Sequence, residues 1–156
     1  MSALGVGTWF CVSLLFVLFC AAGPGVAAAD DVGQIKISRG SVVVERQGRQ
    51  EPAAVGGRIQ ATDVLRTGRD GSVGIGFRDG SLLSAGPNSV LAIDRFVFDS
   101  TTHQGAFDAT LRKGTLAVIS GKIAKQSPDA MKVRTPAALL GARGTEFVVR
   151  ASGPGD

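Results

Sequence analysis

The chain has 156 residues, with 17 Lys and Arg against 13 Asp and Glu, one histidine, two cysteines and a formal net charge of +4. Basic and acidic residues interleave along it, with no basic run and no interspersed aromatic residues, which excludes a nucleic-acid surface and predicts a solvated mixed-sign one. Both cysteines, Cys11 and Cys20, fall in the first 29 residues, so the rest of the chain holds neither a disulfide nor a reactive thiol.

Residues 1–29 contain no charged side chain and no histidine. Trp9 to Ala22 is strongly apolar, Gly23-Pro24-Gly25 interrupts it, and Ala27-Ala28-Ala29 supplies the small residues a signal peptidase needs. This predicts an N-terminal signal helix, cleaved after Ala29, and a periplasmic or secreted product. An uncleaved membrane anchor is the alternative, against which the Gly-Pro-Gly break argues. The residues after 29 fit a single domain, and a chain of that size buries roughly two thirds of its unfolded surface without needing a staple.

Beyond the leader, hydrophobic residues recur with period two, and turn signals punctuate them about every ten residues, which predicts an all-β fold. Gln34 to Ile37 alternates, Val42-Val43-Val44 follows the turn Arg39-Gly40-Ser41, and Glu45 to Gln50 reads as a polar loop. Val64-Leu65 leads to a turn at Thr67 to Gly71. The clearest strand comes next, with Val73, Ile75 and Phe77 on a core face and Ser72, Gly74, Gly76 and Arg78 opposite. Glycines inside a strand imply close approach to that opposite face, expected here from a neighbouring backbone layer.

Leu82-Leu83, Val90 to Ile93 and Phe96 to Phe98 extend the series. Phe107, Ala109 and Leu111 alternate with polar residues and, with a turn at Lys113-Gly114, predict a hairpin with Leu116 to Ile119. Lys122 to Asp129 reads as a polar loop and Met131 to Arg134 as extended. Ala137 to Leu140 allows at most one helical turn.

Two stretches carry a recognisable pattern. Asp63-Val64-Leu65-Arg66-Thr67-Gly68, through Asp79-Gly80-Ser81 to Pro87-Asn88-Ser89, resembles the first half of the FecR domain, whose usual run is a GD-x-Φ-x-TG turn, a small/apolar strand, a DGS turn and a strand ending in a Pro-containing turn. Val133-Arg134-Thr135-Pro136 and Gly141 to Phe147 resemble its closing motif, VxTPxA followed by VRGTxF. The resemblance spans about Gln34 to Arg150. It implies an all-β envelope module that receives a signal from another envelope protein. In iron-uptake regulators of that family a cytoplasmic sigma-binding segment precedes a membrane span, whereas only a few residues precede the apolar leader here, so no anti-sigma activity is expected.

The inventory for chemistry is thin. His103 stands alone in the polar stretch Ser100 to Gly105 and is expected to be a loop residue, not a ligand. Asp70 and Asp79 precede glycines, so turn hydrogen bonding accounts for them. Arg143 and Glu146 flank Gly144-Thr145 and read either as a structural pair holding the last strand or as partner-binding residues. The expectations are an antiparallel sandwich, roll or short solenoid-like FecR domain over residues 30–150, a signal peptide over 1–29 and a tail over 151–156. No catalytic residue, cofactor or metal is expected. The function expected is binding or signal relay through another envelope protein, with a structural or glycan-binding envelope module as the alternative. Membrane contact is expected only through an uncleaved leader, and an open strand edge after Val149 invites self-association.

Overall fold

The computed structural model describes residues 30–141 and 146–153. The predicted leader and Ala142 to Thr145 therefore lie outside the described residues. The strands are β1 (Asp31–Arg39), β2 (Val42–Arg46), β3 (Arg49–Pro52), β4 (Arg58–Gln60), β5 (Val64–Thr67) and β6 (Ser72–Phe77). They continue with β7 (Leu82–Ala85), β8 (Val90–Phe98), β9 (Gly105–Ile119), β10 (Met131–Arg134), β11 (Leu139–Gly141) and β12 (Glu146–Ala151).

These twelve strands form one sheet that curls over its own core. One half runs β4-β1-β6-β7-β9-β12, the other β3-β2-β5-β8-β9-β10-β11, and β9 belongs to both. We call these the first and second halves. All neighbours are antiparallel except β9 and β10, which run parallel.

Strand β9 explains how the two halves connect. Its residues up to Lys113 pair with β8, and those from Gly114 pair with β12, with β7 beside them on the other edge. Phe107, Ala109 and Leu111 point into the core, as do Leu116 and Val118. The buried set thus passes from odd to even positions across Lys113-Gly114-Thr115. A strand alternates strictly with period two, so one residue of slip is needed there. Gly114 provides it at φ +94, in the left-handed region that suits glycine. The expected turn and hairpin are instead a bend within one 15-residue strand. Local pattern does not separate a turn from a corner, because both need the same backbone permissiveness.

The halves meet on aromatic side chains. Phe77 of β6 lies 4.6 Å from Phe107 of β9, and Phe96 of β8 lies 5.2 Å from Phe107 in an edge-to-face arrangement. Such pairs contribute about 0.5–1.5 kcal/mol each beyond their buried area. Val73, Ile75 and Phe77 all point inward, as their alternation predicts. The opposite face of β6 is covered differently from expectation. A Cβ at Gly74 would meet side chains of Ile37 and Ser84, and one at Gly76 would meet Lys36 and Leu82, so flanking strands lay side chains over these glycines and no backbone layer is involved.

Other expectations are corrected where burial depends on distant partners. Strand β3 begins inside the predicted polar loop Glu45 to Gln50 and runs past it: Gln47 and Gly48, at φ 49 and 77, make the two-residue turn of a β2–β3 hairpin, and β3 is exposed throughout. A strand with no buried face carries no alternation to read. Lys122–Gln126 forms a short helix, α1, followed by a 3-10 turn over Pro128–Ala130. Ile123 and Ala124 are the reason, since both are buried in the core. Leu139–Gly141 is extended and pairs with β10, not helical. Ile37 faces solvent although Ile35 is buried, because a register shift falls between them.

Candidate functional site

One end of the fold brings together the turns at Arg39-Gly40-Ser41, Asp70-Gly71-Ser72 and Lys113-Gly114-Thr115, each a charged residue, Gly and Ser or Thr, which lie far apart in the sequence. The Ser41 amide approaches Asp70 Oδ1 at 3.3 Å, and the Gly68 amide donates to the Ser41 carbonyl at 2.8 Å. A Cβ at Gly40 would overlap the Asp70 carbonyl and one at Gly71 the Ser41 carbonyl, so the two turns interlock backbone to backbone. Behind them, buried Thr67 donates through Oγ1 to the Gly86 carbonyl at 2.6 Å and accepts from the Ser89 amide at 2.8 Å. Ser89 Oγ accepts from the Thr115 amide at 3.0 Å. These hydroxyls tie the β5–β6 turn, the β7–β8 turn and the β9 bend into one rigid end.

The turn at Asp79-Gly80-Ser81 is built on a buried carboxylate. Asp79 accepts from the Ser81 amide at 3.0 Å and the Ser81 hydroxyl at 2.7 Å, and its own carbonyl accepts from the Lys122 amide at 2.8 Å. Ser81 Oγ in turn accepts from the Gly121 amide. The predicted turn role of Asp79 thus extends to anchoring the start of α1.

A second buried carboxylate, Asp63, accepts from Arg46 Nε at 2.9 Å, Arg46 Nη2 at 2.7 Å and the Gln60 amide at 2.8 Å. Arg46 Nη2 also donates to the Arg58 carbonyl at 2.9 Å. The Asp63 bond holds the Arg46 guanidinium more firmly protonated than usual. Arg46 lies on β2 and Arg58 on β4, so this pair pins one half of the sheet to the other. Sequence reading does not pair them, since nothing local in either strand announces the other.

His103 is half-buried in the turn between β8 and β9, its ring parallel to that of Phe98 at 6.3 Å. Among the described residues no three His, Cys, Asp or Glu side chains gather as a metal site. No helix among them is long and apolar enough to cross a membrane.

The outward face of the first half is unusual for its apolar content. Register places Val148, Ala117, Ser84, Gly74 and Ile37 in one row across β12, β9, β7, β6 and β1. The adjacent row holds Glu146, Ile119, Leu82 and Gly76. Val148 is 66 % exposed, Ile37 50 %, Leu82 46 % and Ile119 41 %. The doublets Leu82-Leu83, Val118-Ile119 and Val148-Val149 signal this face in the sequence, because alternation lets only one member of each reach the core. Glu146 stands exposed at its margin, whereas Arg143 lies outside the described residues.

The family model described as FecR protein matches residues 63–155, more than half of the chain. The chain belongs to the FecR family. The match opens on Asp63, the buried partner of Arg46, and takes in both motif turns. Strands β1 to β4 precede it yet complete the FecR sheet, β1 pairing with β6 and β2 with β5. The family is regulatory, and the chain is accordingly a signal-transduction-related module. No curated protein and no solved structure gives a significant match.

Proposed function

We propose that this FecR domain is a non-enzymatic relay module outside the cytoplasm. In this reading residues 1–29 are a signal peptide, 30–150 form the domain and 151–156 a tail, and the domain passes a signal by docking a second envelope protein. The observation that carries the proposal is the outward face of the first half. Isolated exposed apolar residues are ordinary, but Ile37, Leu82, Ile119 and Val148 share one face of one sheet, with small residues between them. Removing such a face from water stabilises a complex by roughly 25 cal/mol per Å² of apolar area. Glu146 at the margin, with Arg143 near it in sequence, supplies charge that selects a partner and its orientation.

A photo-crosslinking amino acid placed in turn at Leu82 and Val148, and at Val97 on the other half as a control, tests this in cells. Discrete crosslinks to one envelope protein from the first two positions, absent from Val97 and abolished by Glu146→Lys, are expected. Crosslinks that are equal at all three positions, or absent from Leu82 and Val148, overturn it.

A further inference from the structure

A cleft of about 440 Å³ opens at the rigid end of the fold, between the β5–β6 turn, the β7–β8 turn, the β9 bend and the end of β12. Its charged lining residues are Arg69, Lys113 and Arg150, and Asn88, Thr115 and Ser152 add polar groups. Among the described residues no carboxylate lines it. The ion pairs among the described residues join Arg46 to Asp63, Arg58 to Asp31 and Arg66 to Glu45, so none of the three cleft cations is neutralised by one. The nearest carboxylate in sequence, Asp70, faces the Ser41 amide.

Three cations from three separate segments repel one another, and elsewhere on this chain charges of opposite sign interleave. Their backbones are nevertheless held together: the Thr67 and Ser89 hydroxyls join the β5–β6 and β7–β8 turns to the Thr115 amide, Arg150 pairs with Thr115 across β12 and β9, and Thr115 itself lines the cleft. The cost of gathering positive charge is met by the fold before any ligand arrives, which is the condition for tight binding of an anion. We propose that this cleft binds a phosphate monoester. Two guanidinium groups and one ammonium match a doubly charged tetrahedral anion better than a single carboxylate, since each Arg offers a planar fork to phosphate oxygens. The space exceeds a lone phosphate and leaves room for the group that carries it. The cleft shares no residue with the docking face described above but adjoins it, since Arg150 follows Val148 by two positions on the exposed side of β12.

The test uses the protein expressed with its own N-terminal segment and purified in the form the cell yields. Calorimetric titration with glucose 6-phosphate is expected to show saturable binding at least about tenfold tighter than with glucuronate, a difference of about 1.4 kcal/mol. Lys113→Gln and Arg150→Gln are expected to weaken it at least about tenfold each, with unchanged thermal unfolding, and Lys132→Gln on β10 to leave it unaltered. Flotation with phosphatidylcholine vesicles carrying phosphatidic acid identifies the source of the phosphate. Binding that glucose 6-phosphate displaces assigns a lipid headgroup to the same cleft, and soluble binding without flotation assigns a free ester. Absence of saturable binding, equal affinity for glucuronate, or binding that survives both cleft substitutions overturns the proposal. Flotation that glucose 6-phosphate does not displace also overturns it, because a general surface charge then suffices.

Discussion

Replacing Arg46 by Met tests the reasoning about how the two halves are pinned. Asp63 has no exposed side-chain surface, while Arg46 is 27 % exposed. The substitution retains the aliphatic stem but removes two hydrogen bonds to the Asp63 carboxylate and one to the Arg58 carbonyl. Asp63 is left with the Gln60 amide. Removing one partner of a buried pair costs about 3–5 kcal/mol, and the partial exposure of Arg46, which lets water reach the site, places this case near about 3 kcal/mol. For a domain of this size that lowers the unfolding midpoint by roughly 10 °C. Arg46→Lys, which offers a point charge in place of the fork, is expected to lose about half as much. Urea unfolding followed by circular dichroism measures both. Hydrogen exchange should accelerate first at Gln60, Thr62 and Ile93, whose amides bond across this junction. A loss below about 1 kcal/mol for Arg46→Met, the value of an ordinary surface pair, would refute the claim that the pair is a pin.

Further outcomes follow from backbone geometry and charge. Thr62 sits at φ +76, an uncommon conformation for a β-branched residue, at the position where the FecR run writes glycine. Thr62→Gly is therefore expected to stabilise the fold by about 1 kcal/mol in urea unfolding, and a destabilised variant would show the strain to be absent. Gly114→Ala adds a methyl that would overlap Ser89 at φ +94, and a loss of roughly 2–4 kcal/mol is expected, with β9 amide exchange centred on the bend. Asp99 accepts from the Thr101 amide at 2.8 Å and the Thr102 amide at 3.2 Å, which hold its carboxyl below its ordinary value of 3.8. A lowered folded value means the turn is supported above that ordinary value and loses this support as pH falls through the lowered one. Carbon-detected NMR titration should show the shifted midpoint, with the Thr101 amide following it. A midpoint at or above 3.8 would contradict the assignment.

The extent to which the molecule was legible in sequence depends on how local each determinant is. Val73, Ile75 and Phe77 could be assigned to the core because alternation within one strand needs no knowledge of its neighbours. The motif turns at Thr67-Gly68 and Asp79-Gly80-Ser81 could be read because turn chemistry involves only a few consecutive residues. Residues 63–155 accordingly revealed their family. Strand β3 and helix α1 escaped, the first because it buries nothing and the second because burial of Ile123 depends on a core assembled from elsewhere. The candidate face was written only as apolar doublets, whose outward members join into one surface once register aligns β12, β9, β7, β6 and β1.

Sequence by itself determined that the chain is all-β, where most strands lie and which family they compose, since period-two patterning and turn residues act over a few neighbours. Tertiary structure alone decided that Lys113-Gly114-Thr115 is a corner and not a hairpin turn. It also decided that Arg46 meets Asp63 and that Arg69, Lys113 and Arg150 share a cleft. The corner is set by distant strands that pair on either side of it, and the other two features join residues well apart in sequence; all are governed by how the sheet curls to bury Phe77 against Phe107, a packing energy that no local segment contains.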